Sequence, residues 1–229
     1  MMHPHGLRAA AGNEGIVIAL PAIGAAFEGG FFAGTISHLA NNIATHALIV
    51  APRATGASGT GYPITTSLQW KTTNSTTANT TSTFDGAANT AAMVTAGIAA
   101  HPAANFCKGL SIGGYSDWYF PARYELDIAY QNLKPTTASN STGWGINPYS
   151  VPERTVNRTA GAPAQTSVAA FQSGGAEAFS ASGNGHWAST ENTSSRAWEL
   201  LFSDGAQGGS FTKTTTFNRS VRAFRKIAL

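Results

Sequence analysis

The residue types best suited to chemistry are six histidines, at 3, 5, 38, 46, 101 and 186, and a sparse set of acids. A metal site needs ligands at helical or hairpin spacing, and none of the histidines has it. His3 and His5 read as part of a loose N-terminal tail. A nucleophile needs an adjacent base, yet no G-x-S-x-G, H-E-x-x-H or phosphate-loop pattern occurs. Glu125, Glu191 and Asp204 are the candidate carboxylates. Each has a structural role that accounts for it. Glu125 falls at a helix start, where its charge suits the dipole. Glu191 lies in a strand and needs a cation, for which Arg222 is the expected partner. Asp204 precedes Gly205 in a turn. No catalytic group, metal or cofactor is expected, and the chain reads as non-enzymatic.

Composition narrows the class. The chain has 229 residues, with 42% hydrophobic and only 11% charged. That supports a core and leaves surface polarity to Ser, Thr, Asn and Gln. The net charge of +3 gives no basic field, so nucleic-acid binding has no support. The single cysteine, Cys107, excludes an intrachain disulfide and reads as a small buried side chain beside Phe106. The longest apolar run, 16–27, is broken by Pro21 and Gly24, so no membrane insertion is expected.

The elements that would position a site come from periodicity. Residues 29–34 and 46–51 read as two strands around a turn at Asn41-Asn42, ended by Pro52. The first 28 residues read as an extended arm for docking or oligomer contact, and residues 29–229 as one domain. From 55 to 83 the chain is Gly, Ser, Thr and Asn, with Tyr62, Leu68 and Trp70 as anchors. Asp85 caps a small-residue helix over 86–100, which His101-Pro102 ends. Residues 106–112 form an apolar link. Pro121 opens a second helix in which Leu126, Ala129, Tyr130 and Leu133 make the buried stripe. Arg123, Asp127, Gln131 and Lys134 take its opposite face. Residues 136–162 form a polar loop, with a short helix possible at 164–172. Trp198, Leu200 and Phe202 alternate as the inward face of a strand, and 221–226 read as a closing strand covered on both sides. The core is therefore expected to hold Trp118, Leu126, Tyr130, Trp187, Trp198, Phe202 and Val221. The class is α+β: two main helices on short antiparallel strands with long loops.

Four blocks carry a family resemblance: GGYSDWYFPARYEL at 113–126, HWASTE at 186–191, AWELLFSDG at 197–205 and VRAFRK at 221–226. In this order they resemble a bacterial and phage domain family of C-type-lectin fold, named for the C-terminal domain of the Legionella collagen-like protein. The fold is similar to that of the variable proteins of diversity-generating retroelements, such as the phage major tropism determinant. The resemblance covers about half the chain, from about Gly109 onward. It implies a C-type-lectin-like domain, displayed on a virion for attachment to a host-surface glycan or protein. It also implies contacts with other virion proteins and a homo-oligomer, with a trimer favoured. By analogy, Asn192, Ser194, Arg196, Gln207, Phe211, Lys213 and Asn218 form the outward ligand-binding face. The paired calcium-ligand motifs of true C-type lectins are absent. Two other readings stay open: a head-decoration or fibre protein whose fold serves assembly, and a bacterial surface adhesin domain.

Overall fold

The computed structural model describes residues 19–183 and 185–229. In chain order its elements are β1 (Ala26–Phe27), β2 (Gly30–Ile36), β3 (His46–Val50), α1 (Arg53–Gly56), β4 (Ala57–Gly59), α2 (Gly86–Thr95), α3 (Pro102–Lys108), α4 (Arg123–Leu133), β5 (Ser150–Val151), β6 (Gly185–Thr193), β7 (Arg196–Leu201), β8 (Gln207–Gly208), β9 (Arg219–Arg222) and β10 (Phe224–Ala228). The architecture is mixed α+β, with two sheets and four helices among the described residues.

The first sheet runs β1-β2-β3-β10, with β5 also pairing β2. Glu28 and Gly29 both hold positive φ, 49° and 81°, which is the twist a two-residue hairpin between β1 and β2 requires. The β2–β3 hairpin expected from the sequence is present, with Phe31 opposite Val50 and a bulge between Phe32 and Gly34. Its turn uses Asn42 at φ 59°. The chain already joins this sheet before residue 28. Gly24 N donates to Phe32 O and Phe32 N to Ala25 O, at 2.8 and 3.0 Å. The expected arm boundary at 28 thus falls inside a hairpin, and residues 1–18 of that arm lie outside the described residues.

The second sheet runs β4-β9-β6-β7-β8, antiparallel except where β9 meets β6 in parallel. The closing segment differs from the single strand expected. It breaks at Ala223, whose N donates to Gly56 O and whose carbonyl accepts from Ala51 N. Arg219–Arg222 belong to the second sheet and Phe224–Ala228 to the first, beside β3. One continuous segment, residues 219–228, therefore stitches the two sheets together. This is why both of its faces are buried.

The helices depart from expectation where proline and glycine act in context. α2 is capped by Asp85, whose Oδ1 accepts from Ala88 N at 2.9 Å. It stops at Thr95, because Gly97 takes φ 102° just beyond the last turn. Pro102 does not end that helix but opens α3, where a missing N–H costs nothing. The expected apolar link at 106–112 is half helix for the same reason. α4 begins at Arg123, two residues after Pro121, because Glu125 Oε2 takes the Ala122 N–H at 2.7 Å. The expected helix at 164–172 is one 3-10 turn, Ala169–Phe171.

The core lies in two clusters. Leu126, Ala129, Tyr130 and Leu133 of α4 pack on Leu48, Val50, Leu200 and Phe202. Trp70, Trp118 and Trp187 pack with Met93, Cys107 and Val221. Each of these indoles is fully buried and donates to a carbonyl: Ala188 O at 2.8 Å, Tyr115 O at 3.1 Å and Leu68 O at 3.1 Å. Truncating any of them would cost about 3–5 kcal/mol. Trp198 is the exception in the expected core: it is only half-buried.

Candidate functional site

The opposite face of α4 is not a solvent face. Asp127 and Lys134 are buried beneath residues 136–163. A buried carboxylate is stable only when fully partnered, and Asp127 is. It pairs with Arg154 and Arg158, and it accepts from Asn147 Nδ2 at 3.0 Å and Gln207 Nε2 at 2.8 Å. Burial lowers the pKa of Arg154 to about 9 and of Arg158 to about 10, still far above neutrality, so both stay charged. Arg158 also donates to Gly205 O at 2.7 Å, and its backbone N–H donates to Trp144 O at 2.7 Å. Asn140 closes the other end of the loop. It accepts from Tyr130 Oη at 2.6 Å and donates to the carbonyls of Thr159, Ala160 and Pro163. A polar loop is thus held by one helix acid and one buried amide.

This network presents a cleft at the N-terminal end of α4. Gln207 uses its amide N–H on Asp127, and its carbonyl accepts from Arg123 Nε at 2.5 Å. The Arg123 guanidinium lies 3.9 Å from the Trp198 ring centroid, 5.5 Å from Trp144 and 5.2 Å from Tyr124. Trp144 meets Trp198 edge-on at 6.3 Å. With Arg123, Tyr124 and Gln207, the residues Gly143, Trp144, Gly145, Ile146 and Asn157 line a cleft of about 250 Å³ with no acidic residue in its lining; Trp198 contacts Arg123 but is not part of that lining. Gly145, at φ 131°, is packed so closely that a Cβ would come within 2.7 Å of Arg158, whereas nothing lies within 4 Å of Gly143 on its open side. Burial lowers the Arg123 pKa, though it remains a cation.

The residues expected to form the ligand face divide. Asn192, Ser194, Arg196 and Phe211 are exposed, and Asn218 is half-buried at φ 52°. Asn192 ties to Gly209 O at 3.0 Å, and Arg219 lies 3.6 Å over the Phe211 ring. Gln207 and Lys213 are buried and belong to the framework. Lys213 Nζ donates to Glu191 Oε2 at 2.7 Å, to Ser194 O at 2.9 Å and to Ser75 O at 3.0 Å, above the Trp70 ring. The 206–220 connection is therefore pinned rather than free.

The expected Glu191–Arg222 pair does not form. β9 runs parallel to β6 with Gly185 opposite Arg219, so Arg222 falls short of Glu191. Glu191 takes Lys213 instead, and Arg222 reaches Glu177 at 2.8 Å. Asp204 is the turn residue expected, accepting from Ala206 N at 3.0 Å. Glu125 is fully buried and accepts from Ala122 N, Gly86 N and Tyr119 Oη; burial raises its pKa to about 7. Among the described residues no cluster of His, Cys, Asp and Glu is placed to hold a metal ion, and no helix is long and apolar enough to cross a membrane.

Sequence reasoning missed Arg123 and Trp144 as partners. Arg123 read only as a residue opposite the buried stripe of the second helix, and Trp144 only as part of the polar loop 136–162. The available signal was a tryptophan between two glycines in a polar loop, a large aromatic with no apolar periodicity to bury it. No protein-family model matches the chain, and no curated protein is significantly similar to it.

Proposed function

We propose that this chain is a non-enzymatic attachment protein of a phage virion, whose C-type-lectin-like domain meets a host-surface ligand through the Arg123–Trp144 cleft and the adjoining 192–196 loop. The observation that carries the reading is a half-open aromatic cleft whose arginine is locked in place from behind. Rigid aromatics with fixed polar groups bind without a large ordering cost. The lectin-like assignment draws support from the N-terminal β2–β3 hairpin and the C-terminal β10 sharing one sheet, with long loops on a framework of short strands. The test is adsorption of labelled protein to a panel of bacterial isolates. Wild type should adsorb to a subset, and Trp144→Ala, folded normally, should lose at least about tenfold in affinity. Equal adsorption by both proteins, or none by wild type, would overturn the proposal.

A second reading, assembly within the virion as a decoration or fibre subunit in a homo-oligomer, rests on a different surface. Leu39 and Ile43 are exposed on the β2–β3 turn, and half-exposed Leu229 is tied beside them through its N–H to Thr45 O at 3.0 Å. Electron microscopy of particles labelled with an antibody to residues 183–226 separates the two readings. Label at the tail tip supports attachment, and label over the head supports decoration.

A further inference from the structure

We infer that the cleft recognises a sugar bearing a carboxylate, with the planar end of Arg123 taking the acid and Trp144 taking the ring face. This rests on the attachment reading and makes its ligand specific. Arg123 spends only Nε within the protein, on Gln207. Its two terminal amino groups have no hydrogen-bond partner among the described residues, and neither is sealed from solvent. The Arg123 side chain lines a cleft that contains no acidic residue. The carboxylate that holds Gln207, Asp127, is already shared among Arg154, Arg158, Asn147 and Gln207, so its charge is met within the framework.

A guanidinium fixed at one nitrogen and stacked on Trp198 offers its remaining edge as a planar two-donor fork. That edge matches a carboxylate in a bidentate pair, and a lysine ammonium could not reproduce it. The size of the cleft points to one ring. At about 250 Å³ it falls just below the roughly 300–1,000 Å³ typical of drug-sized ligands. The stacked face of Trp198 is occupied by Arg123, which leaves Trp144, with open space at Gly143, as the platform. The Tyr124 hydroxyl and the Asn157 amide, also without partners among the described residues, stand ready for ring hydroxyls. A neutral sugar would leave the fork unpaired, and that cost supplies the selectivity.

The probes are galacturonic acid, N-acetylneuraminic acid, their methyl esters and galactose, measured by ligand-observed NMR and titration calorimetry. At least one free acid should bind at millimolar concentration, with its methyl ester and galactose weaker by about tenfold or more. Arg123→Lys keeps the charge but loses the fork. It should remove the preference for acid over ester while leaving the thermal midpoint near wild type. Equal binding of acid and ester, or no binding of either acid at roughly 20 mM, would overturn the inference. The bacterial adsorption assay keeps the two proposals apart. Adsorption that depends on Trp144 but is unchanged in Arg123→Lys preserves attachment and removes the acidic ligand. Acid binding without adsorption does the reverse.

Discussion

Replacing Asp127 by alanine should destabilise the domain by about 4 kcal/mol. Asp127 and Arg158 are both sealed from solvent, and Arg154 is mostly so. Removing the acid leaves the Arg158 guanidinium buried without a counter-charge, and losses of that kind cost about 3–5 kcal/mol. Arg154, at the rim, can recover water and adds less. Asn147 and Gln207 each lose an acceptor, worth about 1 kcal/mol apiece when separate, though within one network the terms do not add fully. With a urea slope near 2–3 kcal/mol/M, the midpoint should fall by roughly 1.3–2 M. Asp127→Asn, which keeps the shape and one acceptor, should fall between alanine and wild type. Arg154→Ala should cost clearly less than Asp127→Ala. The loop that carries Trp144 should loosen as well, read as greater quenching of tryptophan fluorescence by acrylamide before any global unfolding. A loss below about 1 kcal/mol for Asp127→Ala would mean that water reaches the network, and the account of how the cleft is held would fail.

Two further outcomes follow from buried charge. Lys213→Ala should cost about 3–5 kcal/mol by stranding Glu191, so it should lower the thermal midpoint in the absence of any ligand; an unchanged midpoint would return Lys213 to the surface. The pH profile carries opposing signs. Glu125 has a folded pKa raised from 4.5 to about 7, so the folded state holds its proton more tightly and stability falls as pH rises from about 4.5 through 7, by roughly 3 kcal/mol in all. His186 has a folded pKa lowered from 6.5 to about 3, so its contribution is complete above about 6.5 and is lost as pH falls toward 3. Glu125→Gln should flatten the neutral limb of a urea-stability profile, and His186→Gln the acidic limb. A profile unchanged by both would refute the assignment of these groups.

The pattern of apolar residues was enough to place β2, β3, β7, the body of α4 and most of the core, because those side chains either form short apolar runs bounded by turn residues or repeat with the period of their own element. It also marked Asp85 as a cap and Ser203-Asp204-Gly205 as a turn, since both act within a few residues of chain. What it could not carry was any partnership across the fold. Whether Pro102 ends one helix or begins another depended on Gly97 having already turned the chain. The break at Ala223 depended on two sheets competing for one strand. Charged residues were the least legible: Lys213 and Asp127 read as surface because an isolated charge prefers water, and only the tertiary structure supplied Glu191 for one and two arginines for the other. The cleft belongs to the same class. Arg123, Trp144, Trp198 and Gln207 come from a helix start, a loop and two strands, and their chemistry exists only where packing brings them within reach of one another.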